Sequence, residues 1–134
     1  MDEQQFKQRT KLLALRVIKL VTALPKGMVA EVIGKQLLRC ATSVGANYRA
    51  ACRGKSPADV INKLSIVEEE ADECLYWMGL LVEAEIMHQA RLDNLMIETN
   101  EILAMVVASI KTLRSKHSSI QNPKSKIQNP EGTL

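Results

Sequence analysis

Reactive residue types are sparse in this 134-residue sequence, and their spacing decides little chemistry. The histidines are His88 and His117, and the cysteines are Cys40, Cys52 and Cys74. No cysteine pair has C-x-x-C spacing, and each falls among apolar neighbours in a helical pattern. They read as small buried hydrophobes of a reducing compartment rather than as a disulfide framework. A nucleophilic thiol needs a histidine or a helix amino terminus beside it to lower its pKa, and nothing in the sequence places either there. A di-iron bundle needs two Glu-x-x-His motifs plus two further glutamates. Only Glu85 to His88 has that spacing, near the end of an expected third helix, so no metal site is expected. The run Glu68-Glu69-Glu70-Ala71-Asp72-Glu73 is rich in carboxylates. Consecutive positions fan around a helix, so most of them face water. Glycine-rich phosphate loops, nucleophile elbows and zinc-ligand spacings are absent. The expectation is a protein that is not an enzyme, needs no cofactor and takes no small-molecule substrate.

The elements that would carry these residues are helices. Apolar residues make up 46% of the chain but aromatic ones only 3%: Phe6, Tyr48, Tyr76 and Trp77. Leucine, isoleucine, valine, alanine and methionine must then fill the core, which suits helix-on-helix packing. Leu13, Val17, Leu20 and Leu24 set a first helix at about 5–24, stopped by Pro25. Val29, Ile33, Leu37, Ala41, Val44, Tyr48 and Ala51 set a second at about 29–53, ended by Gly54. Ser56 as cap, Pro57 at the first helical position and Asp59 in the first turn open a third, about 57–88. Its seam of Val60, Leu64, Val67, Ala71, Cys74, Met78 and Leu81 follows heptad spacing. Leu92, Leu95, Leu103, Val106, Ile110 and Leu113 set a fourth at about 92–116. Short connections make sequential helices neighbours, which predicts an all-α, antiparallel up-down-up-down four-helix bundle over residues 1–116. Residues 117–134 repeat Ile-Gln-Asn-Pro at Ile120 and Ile127 in a polar tract, expected to be a disordered tail. There is no run of about 18 apolar residues to span a membrane, and the start, Met1-Asp2-Glu3-Gln4-Gln5, does not resemble a signal peptide. Cytoplasmic residence is expected.

The second helix has an unusually small middle, Ala41-Thr42-Ser43-Val44-Gly45-Ala46-Asn47. Gly45 costs about 1 kcal/mol relative to alanine, so close approach by a neighbouring helix, another subunit or a ligand is expected. Thr42, Ser43, Gly45, Ala46 and Asn47 are therefore candidates for inter-helix or oligomer packing. Charge is uneven although the net value is only +3. Residues 1–54 carry ten basic and three acidic side chains, and residues 55–91 carry three and eight. Lys35, Arg39, Thr42, Ala46, Arg49 and Arg53 share one stripe, and Arg9, Arg16 and Lys19 lie near one another on the first helix. In one reading Arg39 and Arg49 pair with Glu69, Glu70 or Glu73, inside the bundle or across a subunit boundary. In the other, Arg9, Arg16, Lys19, Lys35, Arg39, Arg49 and Arg53 meet phosphates, with arginine forks and counterion release supplying affinity. Few aromatics accompany these cations, so contact with RNA or DNA would follow the backbone rather than stack on bases.

The stretch Leu37-Leu38-Arg39-Cys40-Ala41-Thr42-Ser43-Val44-Gly45-Ala46-Asn47-Tyr48-Arg49-Ala50-Ala51 resembles the signature of the bacterial four-helix-bundle proteins encoded in 23S ribosomal RNA intervening sequences. Asp59-Val60-Ile61-Asn62-Lys63-Leu64 and Glu70-Ala71-Asp72-Glu73-Cys74-Leu75-Tyr76-Trp77-Met78 match the same family's third helix. The likeness covers roughly Phe6 to Leu113, with Cys40, Cys52 and Gly79 as departures that read as packing variants. It implies a ring-like homopentamer, so the chain's first partner would be itself. A looser similarity to the accessory proteins of diversity-generating retroelements implies structured RNA and a reverse transcriptase as further partners. The competing expectation is a protein-interaction scaffold that does not touch nucleic acid.

Overall fold

The computed structural model describes residues 1–121, with side chains through Ser118. It contains four helices: α1 (Glu3–Thr22), α2 (Met28–Cys52), α3 (Pro57–Glu83) and α4 (Gln89–Gln121). Each boundary has a local cause. Asp2 and Gln5 form a capping box, with Gln5 N donating to Asp2 Oδ1 at 2.8 Å and Asp2 N donating to Gln5 Oε1 at 2.9 Å. Two orphan amides are satisfied together, so α1 starts earlier than its apolar pattern indicates. Gly27 precedes α2 at φ 148°, a backbone that other residues rarely adopt. Ser56 Oγ accepts from Asp59 N at 3.1 Å, and Pro57 supplies a preset φ at the first helical position.

Two helix ends differ most from the sequence expectation. Helix α3 stops at Glu83 rather than near residue 88, because Glu85 takes a left-handed φ of 58°. Ile86 N and Met87 N then both donate to Leu81 O, at 2.9 and 3.1 Å, closing the turn. The reversal carries Met87 and Leu92 into the core. A glutamate at that position gives no sequence signal of the kind a glycine would. Helix α4 continues to Gln121, five residues into the segment expected to be a tail. Neither glycine nor proline interrupts the sequence before Pro123, so the local backbone bonding of the helix can continue. The rest of the expected tail, 122–134, lies outside the described residues.

The core is continuous and aliphatic. Leu13 and Val17 of α1, Leu37 and Val44 of α2, Val67, Met78 and Leu81 of α3, and Leu92, Ile102 and Val106 of α4 are almost fully buried. Two buried hydroxyls are satisfied within their own helices: Thr10 donates to Lys7 O at 3.0 Å and Thr99 to Leu95 O at 2.8 Å. Helix α2 packs on α1 and α3, and α3 on α4, while α1 meets α4 along a thinner seam. The helices thus sit at four corners, with α1 diagonal to α3. Glu3, Cys52, Val60 and Leu113 line one cavity of about 620 Å³. The start of α1, the end of α2, the start of α3 and the late part of α4 therefore meet at one end.

The helical glycines differ in what they permit. A Cβ on Gly45 would stand 3.5 Å from Thr10 O, ordinary contact, whereas one on Gly34 would stand 3.0 Å from Leu24 Cδ1 and 3.2 Å from Val21 Cγ1. Residues of α1 and its following turn approach α2 at both glycines, but only Gly34 is crowded. Gly45→Ala is expected to raise stability by about 0.5–1 kcal/mol through helix propensity. Gly34→Ala is expected to lose that gain, because Leu24 and Val21 must shift. Denaturant unfolding of the two variants would check the difference.

Candidate nucleic-acid interface

Burial of Ile33, Leu37, Ala41, Val44 and Ala51 turns the opposite side of α2 to solvent. Lys35, Arg39, Thr42, Ala46, Arg49 and Arg53 are all exposed there, so the stripe expected from spacing exists as a surface. The residues in the middle of α2 divide by direction. Thr42 donates to Leu38 O at 2.8 Å and Arg39 O at 3.1 Å, and Asn47 Nδ2 donates to Ser43 O at 2.9 Å and Ser43 Oγ at 2.8 Å. Their polar groups are thus bonded to their own helix, while Gly45 faces Thr10 of α1.

The cations of the stripe are not equivalent. Arg39 Nη1 donates to Glu70 Oε1 and Oε2 at 3.2 and 3.0 Å, and its Nη2 donates to Glu73 Oε1 at 3.1 Å. Those bonds, led by the one to Glu70, raise the Arg39 pKa above its already high ordinary value. The guanidinium bridges α2 to α3 and neutralises Glu70, whose side chain is only 13% exposed. Lys35 pairs with Glu31 of its own helix at 3.2 Å, but both side chains are well exposed, so the pair is weak and screened. Arg49 and Arg53 have no ion pair among the described residues. Pairing of Arg39 with Glu70 and Glu73 agrees with one of the two sequence readings; Arg49 does not share it.

On α1, Arg9, Arg16 and Lys19 do not extend this stripe. Arg9 Nε donates to Glu98 Oε2 at 2.9 Å, Arg9 Nη2 to Glu98 Oε1 at 2.5 Å and to Glu101 Oε1 at 2.9 Å. This forked bond clamps α1 to α4, and the Glu98 bond raises the Arg9 pKa further. Arg16 follows Arg9 by seven residues and falls on that same flank, whereas α2 packs on the flank of Thr10, Val21 and Leu24. The α1 cations and the α2 stripe therefore do not form one face. Lys19 is exposed and Arg16 half-buried, and neither makes an ion pair among the described residues. Glu98 and Glu101 escape a sequence reading that seeks acidic partners on α3; their i, i+3 spacing beside the α4 core stripe is the available signal.

The candidate chemical residues are accounted for in the same way. Cys40 Sγ, Glu70 and Glu73 bring three potential metal-ligand atoms within 4.8 Å of one another. The cation on these carboxylates is Arg39, whose Nη2 also lies 3.2 Å from Cys40 Sγ. Burial pushes the Cys40 thiol up to about 12, against the opposing pull of Arg39. Burial likewise raises Cys74 and Cys52. All three stay protonated at neutral pH and are poor nucleophiles. Glu85 and His88 lie in the turn between α3 and α4, not on α3, so they do not share a helix face.

The comparisons with known proteins bear on this geometry. Residues 2–108 match the pattern of the 23S rRNA-intervening sequence protein family. The chain belongs to that family. The matched span includes both the Arg39–Glu70–Glu73 bridge and the Arg9–Glu98–Glu101 clamp. A solved structure from Bacteroides thetaiotaomicron, described as a protein with unknown function from the S23 ribosomal protein family, is similar at 34% identity and a TM-score of 0.74. The likeness covers 83% of this chain and 99% of that one. No curated protein matches. As a member of the intervening-sequence family, the chain has the family's all-α four-helix fold, and no described helix is long and apolar enough to cross a membrane.

Two outcomes follow from the pairing and the thiols. Arg9→Ala should cost about 2 kcal/mol by stranding half-buried Glu98, while Arg49→Ala and Arg53→Ala should stay within about 0.5 kcal/mol, measured by chemical unfolding. Cys40 and Cys74 should resist iodoacetamide at pH 8 in the folded chain and react on denaturation, read by mass spectrometry of tryptic peptides. Burial disfavours the thiolate, so protection should weaken as pH rises toward 12 for Cys40.

Proposed function

We propose that this family member is a non-catalytic, oligomeric, nucleic-acid-associated protein that contacts RNA or DNA backbone through the outward face of α2. The observation that carries the reading is the exposure of Arg49 and Arg53 without ion-pair partners among the described residues, in line with exposed Lys35 and Arg39. Arginines left free on a regular helix suit phosphate oxygens, which accept their forked donors without base reading. Arg16 and Lys19 provide a separate, weaker cationic patch on α1, and Arg9 contributes to folding instead.

In this reading the bundle is antiparallel, up-down-up-down, as supported by the convergence of alternate helix ends on one cavity. It assembles as a ring-like homopentamer, which repeats the α2 stripe around the ring and adds weak phosphate contacts by multivalency. The protein is cytoplasmic, uses no cofactor and is not an enzyme; protonated thiols and the commitment of Glu70 and Glu73 to Arg39 support that. A reverse transcriptase is a candidate protein partner. The second reading is an interaction scaffold without nucleic-acid contact, favoured by the use of Arg39 and Arg9 in structural pairs.

Binding of the full chain to a structured RNA across a salt series separates the two. Affinity is expected to fall steeply with salt. Arg49→Glu with Arg53→Glu should lower both the affinity and the salt slope, the slope by about one for each phosphate the protein no longer neutralises. Binding that is absent at low salt, or unchanged in that double variant, would leave the scaffold reading standing.

A further inference from the structure

The cavity of about 620 Å³ lies where the start of α1, the end of α2, the start of α3 and the late part of α4 meet. Its volume falls within the range of about 300–1,000 Å³ in which proteins hold small ligands. Its floor is apolar, because buried Phe6, Leu64 and Val106 line it. The Phe6 ring stands edge-on to Tyr48 with centroids 4.7 Å apart, so the wall between α1 and α2 is aromatic. On the α4 side the lining residues Ala108, Ser109 and Thr112 are short and exposed, and they leave the cavity accessible. Apolar lining of this kind gains free energy when an apolar body covers it.

Polar groups gather along one wall. Tyr48 and Cys52, one turn apart on α2, and Asp2 and Glu3 at the start of α1 all line the cavity. Asp2 and Glu3 carry the charged side chains among the lining residues, and both are carboxylates. Burial first, then the adjacent Cys52 and the carboxylates of Glu3 and Asp2, raise the Tyr48 phenol above its ordinary range. The polar wall thus sits in a negative field, which disfavours an anion there and favours a cation. Both carboxylates have capacity to spare. Asp2 Oδ1 accepts from Gln5 N at 2.8 Å, which uses one of the carboxylate's several acceptor positions. Glu3 pairs with Lys7 at 3.4 Å, but the Glu3 side chain is 60% exposed, so the pair is weak and exchangeable.

From this arrangement we propose that the cavity binds a small amphipathic amine, its apolar body on Phe6, Leu64 and Val106 and its ammonium group at the Asp2–Glu3 rim. Shape and apolar lining hold the body, and the sign of the rim charge selects the head group. The cavity holds such a molecule without reacting with it. Burial raises the Cys52 thiol above its ordinary range, so the sulfur facing the ligand stays protonated and is a poor nucleophile. The site is independent of the nucleic-acid reading, since Arg49 and Arg53 do not line it.

The test is titration of the full chain with 4-phenylbutylamine and, separately, with 4-phenylbutanoate, which share a body and differ in the sign of charge. Binding is followed by nuclear magnetic resonance of methyl and aromatic groups. The amine should shift the signals of Phe6, Leu64 and Val106, with a dissociation constant of about 0.1–1 mM. The carboxylate should bind more weakly by about tenfold or more. Asp2→Asn with Glu3→Gln keeps a capping side chain and should weaken the amine by about fivefold without weakening the carboxylate. Ser109→Phe, at an exposed lining position, should block the amine while circular dichroism stays unchanged. No amine binding, equal binding of amine and carboxylate, or shifts confined to residues outside the cavity would overturn the proposal. Unchanged amine affinity in the double variant, or in folded Ser109→Phe, would do the same. So would nuclear Overhauser contacts to Phe6 and Leu64 from residues 122–134 or from a second, differently labelled copy in the chain without amine, because either would already fill the cavity.

Discussion

Burial of the α2 stripe from Ile33 to Ala51 fixes the rotation of that helix about its axis, and the surface depends on this rotation. A helix that must turn Leu37, Ala41 and Val44 inward has no freedom over what faces outward. Residues 35, 39, 42, 46, 49 and 53 become solvent-facing as a consequence of periodicity. The same constraint places Gly34 and Gly45 against α1 and Cys40 against α3. Hydrophobic burial thus selects which charges are available for binding, before any charge interacts with another.

Electrostatics then sorts those charges by the neighbour each one meets. Arg39 lies on the edge of α2 that borders α3, where Glu70 and Glu73 approach, and it becomes a bridge between helices. Arg9 lies at the α1–α4 seam, where Glu98 and Glu101 approach. That seam is the thinnest of those between adjacent helices, and a forked, part-buried bond adds directional contact where apolar contact is least. Arg49 and Arg53 are the cations of the α2 stripe with no acid paired to them among the described residues. Arginines of the same chemistry therefore hold the bundle or face outward according to the helix opposite them.

Glycines and outward apolar residues carry the remaining information. Gly34 is filled by Leu24 and Val21 from the α1 side, so its smallness is explained inside the protomer. Among the described residues Gly79 has no such close neighbour, and Leu12, Leu15 and Ile18 stay exposed.

Periodicity and punctuation in the sequence were enough to determine four helices, their apolar faces and the outward stripe of α2, because burial and capping act over a few residues. Pro25 and Ser56-Pro57 mark their boundaries by local chemistry that needs no tertiary partner. Local chemistry was silent where the backbone did something its residue type does not favour, as at Glu85 in the left-handed region. It was also silent where a helix simply continued, as α4 does beyond Lys116. The partners of Arg9 and Arg39 were decided only in three dimensions, since Glu98 stands 89 residues from Arg9 along the chain. Such pairs depend on which helix edges the packed core brings together, a relation that spacing within one helix does not contain.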